Sequence, residues 1–194
     1  MQDFWFYIQL GLEHVLDFNA YDHILFLAAL AVPFTFKQWK QVIILATIFT
    51  IAHCTSLAFS VYDVFSVDVG LIEFLIPVTI ALTALFNFLR VFKEAHTTGI
   101  YFQSLATAFF GLIHGFGFSN YFNMLMAEEE SKLGPLLGFA TGIELSQVTI
   151  ILVALLIAYL AQHLLRVKQS IFIIISSIII FLITIPMLIE TFPK

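Results

Sequence analysis

Residues 11–26 read GLEHVLDFNAYDHILF and decide the fold. Between positions 13 and 23 they carry Glu13, His14, Asp17, Asp22 and His23, inside a chain that is 61% hydrophobic and only 11% charged, with a mean hydropathy of +1.02. A soluble domain is about 25% charged, so the surroundings of this stretch are made for lipid. A charge near the centre of a bilayer costs on the order of 2.5–3.5 kcal/mol on insertion scales. Five ionisable groups there need compensation from one another, from a bound cation or from a water-filled cavity.

Six apolar segments organise the chain, at about residues 4–32, 41–62, 69–89, 100–118, 136–165 and 170–189. One perpendicular helix needs only ~20 residues, so the first segment is too long for a single straight span. Asp17, Phe18, Asn19 and Ala20 supply a break, because Asp and Asn favour caps and turns. The expected fold is therefore an all-α, polytopic transmembrane helical bundle of about six spans. Its first segment is bent or broken, so seven helices would also satisfy the pattern, and residues 1–194 form one domain. Gly134-Pro135 reads as a loop signal at the end of a connection over residues 119–135 that holds Glu128, Glu129 and Glu130. Pro77 is a point where the third segment can kink.

Composition also excludes. The single Cys54 rules out an internal disulfide and any Cys-x-x-Cys site. A net charge of −5 offers no basic patch for nucleic acid. The amino end lacks the positive n-region of a cleavable signal, so the first helix is expected to direct insertion. Lys37, Lys40, Arg90, Lys93, Arg166 and Lys168 fall in the first, third and fifth connections, six of the eight basic residues on one face. The positive-inside rule makes that face cytoplasmic and puts both termini outside. Asp3, Asp63, Asp68 and the three glutamates lie opposite, with Lys132 and Lys194.

On that topology the remaining polar residues converge in depth. His14, Asp22, His23, His53, Glu73, His114 and Glu144, from five segments, fall in the outer leaflet or at its inner edge at ~1.5 Å per residue. His14 and His23 are nine apart and would face opposite ways on an unbroken helix; they meet only if the chain breaks between them, and two separate sites are the alternative. Gly111, Gly115 and Gly117 around His114, and Gly138 and Gly142 before Glu144, give small-xxx-small spacing for close helix approach. Thr50, Thr55, Ser56, Ser146 and Gln147 are candidate partners for ligand side chains. Bland readings stand beside these: Glu13 facing headgroups, Asp17 capping a helix, Asn87 joining helices, His96 and His163 at the interface, Cys54 as packing.

Imidazoles with carboxylates and no thiolate framework suit Ni(II), Co(II), Zn(II) or Fe(II) better than Cu(I). No ATP-binding loop is present, so transport would run downhill or on proton or membrane-potential energy. Three ligands plus a water, with a spare carboxylate as base, would instead make a membrane-embedded hydrolase, although no His-Glu-x-x-His motif is present. A metal-binding scaffold without turnover is the third class.

The ordered set GLEHVLDFNAYDHILFLAAL, FTIAHCTSLAF, EFLIPVTIALTALFN, FGLIHGFGFS and GFATGIELSQ resembles the HupE/UreJ family of bacterial membrane proteins, over residues 11–147. The resemblance implies a secondary permease of the cytoplasmic (inner) membrane for nickel or cobalt. It also implies a metal role for His14, Asp22, His23, His53, Glu73, His114 and Glu144. Asp17-Phe18-Asn19-Ala20-Tyr21 replaces the Gly-rich turn usual in that family. The leading expectation is a divalent transition-metal site (nickel, cobalt or zinc), reached from the outer face. Asp22, His23, His53 and His114 are its main ligands, and Glu73 and Glu144 are supporting ligands or proton acceptors. The metal ion and the lipid bilayer are the expected partners, with a homo-oligomer left open.

Overall fold

A computed structural model describes residues 4–65, 67–92, 100–127 and 129–193. Asp3, Lys93, His96, Glu128 and Lys194 lie outside the described residues. The described part is helical throughout. Its elements are α1 (Phe4–Leu16), α2 (Asp22–Ala31), a 3₁₀ turn (Phe36–Gln38), α3 (Trp39–Val61), α4 (Val69–Phe92), α5 (Ile100–Met126), α6 (Leu133–His163) and α7 (Gln169–Glu190). Among the described residues, α3, α4, α6 and α7 are each long and apolar enough to cross a membrane. The 27-residue α5 and the α1–α2 pair take the other two places in the bundle.

The first segment is two half-helices. α1 stops at Leu16, where Asp17 Oδ1 accepts hydrogen bonds from the Asn19 backbone N–H (2.8 Å) and its Nδ2 (3.2 Å). This local Asx bonding offers the backbone an alternative to the helix ladder. α2 then starts with Asp22 in its first turn, where a carboxylate suits the helix dipole. After α2, Thr35 and Gln38 form a capping box at the 3₁₀ turn that leads into α3.

Two close helix crossings set the framework. In the α1–α6 crossing, a Cβ on Gly142 would strike the Ile8 carbonyl, and one on Gly11 would strike that of Phe139. In the α3–α5 crossing, a Cβ on Gly111 would lie 2.7 Å from the Phe49 carbonyl, and one on Gly115 would strike Ser56 Oγ and the His53 carbonyl. Backbones thus touch where the small-xxx-small spacing places the glycines. Gly117 serves a third contact, with Ile76 of α4 2.8 Å from its would-be Cβ. The core between these pairs includes Phe26, Phe49, Phe122, Phe139 and Ile143.

Two boundaries differ from the sequence reading. α5 continues eight residues past Phe118 to Met126, because Ser-Asn-Tyr-Phe-Asn-Met-Leu-Met contains no breaker and Phe122 and Met126 find buried places. Gly134-Pro135 lies inside the first turn of α6 rather than in a loop. A proline there forfeits only a backbone N–H that has no intrahelical partner anyway.

Candidate metal centre

α1 delivers His14, α2 delivers Asp22 and His23, α3 delivers His53 and α5 delivers His114. The break between α1 and α2 is what lets the first two imidazoles meet: the His14 and His23 ring centroids are 4.6 Å apart. His53 completes a triangle, 5.7 Å from His14 and 5.6 Å from His23. One nitrogen from each of these three rings lies within 4.8 Å of the others. The His114 ring lies 5.4 Å from that of His23, next to this triad but outside it. The Gly115 contact with the His53 carbonyl holds α5 close enough for this.

The protons on two of these rings are fixed by their neighbours. His23 Nδ1 lies 3.2 Å from Asp22 Oδ1, which also accepts the His23 backbone N–H at 2.9 Å. His114 Nδ1 lies 2.8 Å from the Phe110 carbonyl, one helical turn back. A carboxylate and a carbonyl both require a donor, so each Nδ1 carries the hydrogen and each Nε2 keeps its lone pair. The Nε2 atoms of His14, His23, His53 and His114 are all buried with no hydrogen-bond partner among the described residues, as is His53 Nδ1. Buried polar atoms are otherwise nearly always paired. The bare nitrogens of the His14–His23–His53 triad, with His114 beside it, form a donor set that fits a borderline divalent cation.

Aromatic rings wall the cluster. Phe118 lies 4.0 Å and Phe139 5.5 Å from His14. Phe49 is 5.2 Å and Phe26 5.4 Å from His114, and these two phenylalanines stack at 4.9 Å. A cavity of about 590 Å³ between α1 and α5 reaches His14, with Glu13, Asp17, Asn19 and Tyr121 among its lining. Beyond the Phe26–Phe49 stack lies a second, apolar cavity of about 330 Å³, lined by Phe26, Phe110, Asn87 and Thr107 among others.

The other expected site residues are placed differently. Glu73 lies on an exposed part of α4, apart from the imidazoles. It is one heptad before buried Ile80, so it shares that inward stripe, but the packing that covers Ile80 does not reach it. Glu144 spends both carboxylate oxygens on α3: Thr47 Oγ1 is 2.6 Å from Oε1, and Thr50 Oγ1 is 2.7 Å from Oε2. The suggested supporting hydroxyls also serve elsewhere. Ser56 donates to the His53 carbonyl, Thr55 to that of Ile51, and Ser146 bonds the Leu12 and Gly142 carbonyls. Gln147 is buried with both amide atoms unpartnered. Asp22 and the Phe110 carbonyl do the orienting instead. No sequence signal pointed to the second of these, because a backbone carbonyl is common to every residue.

A family model described as HupE / UreJ protein matches residues 1–191, essentially the whole chain. No curated protein and no solved structure matches.

Proposed function

The chain belongs to the HupE/UreJ family, and from that premise we propose that it binds a divalent transition metal ion, nickel or a nickel-like cation, as cargo and moves it across the cytoplasmic membrane. The observation that carries this reading is the convergence of unpartnered imidazole nitrogens from His14, His23 and His53 within 4.8 Å of one another, with the unpartnered His114 ring beside His23. His14, His23, His53 and His114 hold the ion. Asp22 fixes the His23 ring and offsets part of the cargo's charge, as carboxylates behind metal-bound histidines do.

The route follows from the cavities. The ion reaches His14 through the space between α1 and α5, passes to His23 and His53, and meets His114 against the Phe26–Phe49 stack. The placement of basic residues makes the α1–α5 cavity the non-cytoplasmic side. Neutral imidazoles let the site release its cargo, since protonation of any one removes a ligand.

The donor set supports cargo binding over hydrolysis. A hydrolase needs a carboxylate free to act as base beside a metal-bound water. Asp22 is engaged by His23, Glu144 by two threonines, Asp17 by Asn19 and Glu13 by Gln9, and Glu73 lies apart on α4.

Purified protein in liposomes tests the reading. Wild type is expected to bind Ni(II) stoichiometrically by elemental analysis and to admit it to the vesicle lumen, whereas His114→Ala binds weakly and transports nothing. Retained binding without flux would instead indicate a scaffold, and unchanged flux in His114→Ala would reject the site.

A further inference from the structure

The Glu144 clamp is a second polar device inside the helical bundle, and its hydrogen-bond arithmetic is unusual. Thr47 and Thr50 are three residues apart on one face of α3, and each hydroxyl has two acceptors within reach. Thr47 Oγ1 lies 2.6 Å from Glu144 Oε1 and 3.1 Å from the Ile43 carbonyl. Thr50 Oγ1 lies 2.7 Å from Glu144 Oε2 and 3.3 Å from the Ala46 carbonyl. A hydroxyl has one proton to give and lone pairs to accept with.

Two complete states follow without moving a heavy atom. With Glu144 ionised, both threonines donate to the carboxylate. With Glu144 protonated, its own O–H donates to one threonine oxygen, and that threonine turns its hydrogen to the carbonyl one turn back. The other threonine still donates to the remaining carboxyl oxygen. The clamp therefore takes up or gives off one proton and leaves no group unsatisfied in either state.

We propose that Glu144, with Thr47 and Thr50, is a proton-binding site distinct from the imidazole cluster, and that its proton is the one exchanged against the metal cargo. The second half of this statement rests on the transport reading above. The surroundings leave the carboxyl to its threonines. No cation pairs with Glu144 among the described residues. Cys54, one turn beyond Thr50 on α3, is the ionisable group that interacts with it. On α1 and α2, Glu13 is bonded to Gln9, while His14, Asp22 and His23 belong to the metal cluster. α7 carries no ionisable side chain before Glu190. Glu144 is only partly covered, so a small reagent dissolved in lipid can reach it.

Full-length protein in liposomes is treated with N,N′-dicyclohexylcarbodiimide, which attacks protonated carboxyl groups, from acid to alkaline pH, and the adducts are located by peptide mass spectrometry. Glu144 is expected to be labelled at acid pH and to lose at least about tenfold of that labelling as it ionises. The double variant Thr47→Val, Thr50→Val keeps the side-chain shapes but removes both donors to the carboxylate. It should move the loss upward by about one pH unit, a tenfold change in proton affinity. No adduct at Glu144, labelling indifferent to pH, or a double variant that titrates like wild type overturns the proton site. The coupling is read separately with Ni(II) alone. In Glu144→Gln the Ni(II) flux should no longer respond to an imposed pH gradient. A retained response overturns the coupling. If wild type moves no Ni(II) while Glu144 labelling still titrates, the transport reading fails and the proton site stands.

Discussion

The imidazole cluster and the Glu144 clamp occupy the same bundle and solve the same problem in opposite ways. Both place ionisable side chains where lipid surrounds the protein, and both draw on α3. At the clamp every carboxylate oxygen has a hydroxyl within 2.7 Å. At the cluster four Nε2 atoms have no hydrogen-bond partner among the described residues. A site complete in itself can change its proton but has no need of a further ligand; a site with bare lone pairs is a receptacle. Unsatisfied imidazole nitrogens gathered from several helices, more than polar residues as such, therefore mark the candidate metal site in this protein.

That contrast is broken most severely at His23. His23→Ala removes the central donor and leaves Asp22 without its partner, so Ni(II) affinity should fall by more than the ~10–100-fold typical of losing a supporting residue; isothermal titration of purified protein measures it. Next comes the framework. Gly115→Ala drives a methyl group into Ser56 Oγ and the His53 carbonyl, and overpacking of this kind costs about 1–3 kcal/mol. Gly134→Ala, whose Cβ would meet nothing within 4 Å, should leave the melting temperature near wild type or raise it, and thermal melts in detergent compare the two. Asp22→Asn is subtler. An amide oxygen can still accept from His23 Nδ1, so the ring stays oriented while the cluster's negative charge declines. Ni(II) affinity should drop by about tenfold, toward the low end of such changes, with stability little altered. Glu73→Gln should be the smallest effect. An exposed position away from the cluster predicts a stability change within about 0.5 kcal/mol and unchanged uptake in vesicles.

Much of this was legible in the chain. The apolar runs gave the bundle. The Asp17–Asn19 interruption gave the two half-helices, because side chains that bond their own backbone compete with the helix ladder. The nine-residue spacing let His14 and His23 meet only across that interruption, with two separate sites as the alternative, and the two rings do meet there. The glycine spacing around His114 and Glu144 anticipated the two close crossings. Azimuth and pairing were not legible. Glu73 shares a stripe with Ile80, and only the extent of neighbouring helices decides which of the two is covered. Glu144 reads as one more carboxylate at the right depth, and nothing in GFATGIELSQ says that threonines 94 and 97 positions earlier in the chain would claim both its oxygens. The Phe110 carbonyl that orients His114 is common to every residue type, so no motif could announce it.

The interruption between α1 and α2 has a consequence for how the protein is made. At ~1.5 Å per residue, the 13 residues of α1 and the 10 of α2 reach only about 20 and 15 Å, against a hydrocarbon core of ~30 Å. Neither half can rest as a finished span when it leaves the ribosome, and the polar elbow between them would sit in lipid with its backbone unprotected. The surface that shelters α1 is α6, more than a hundred residues downstream. The amino-terminal part of this chain can therefore complete its packing only after the fifth segment has been made.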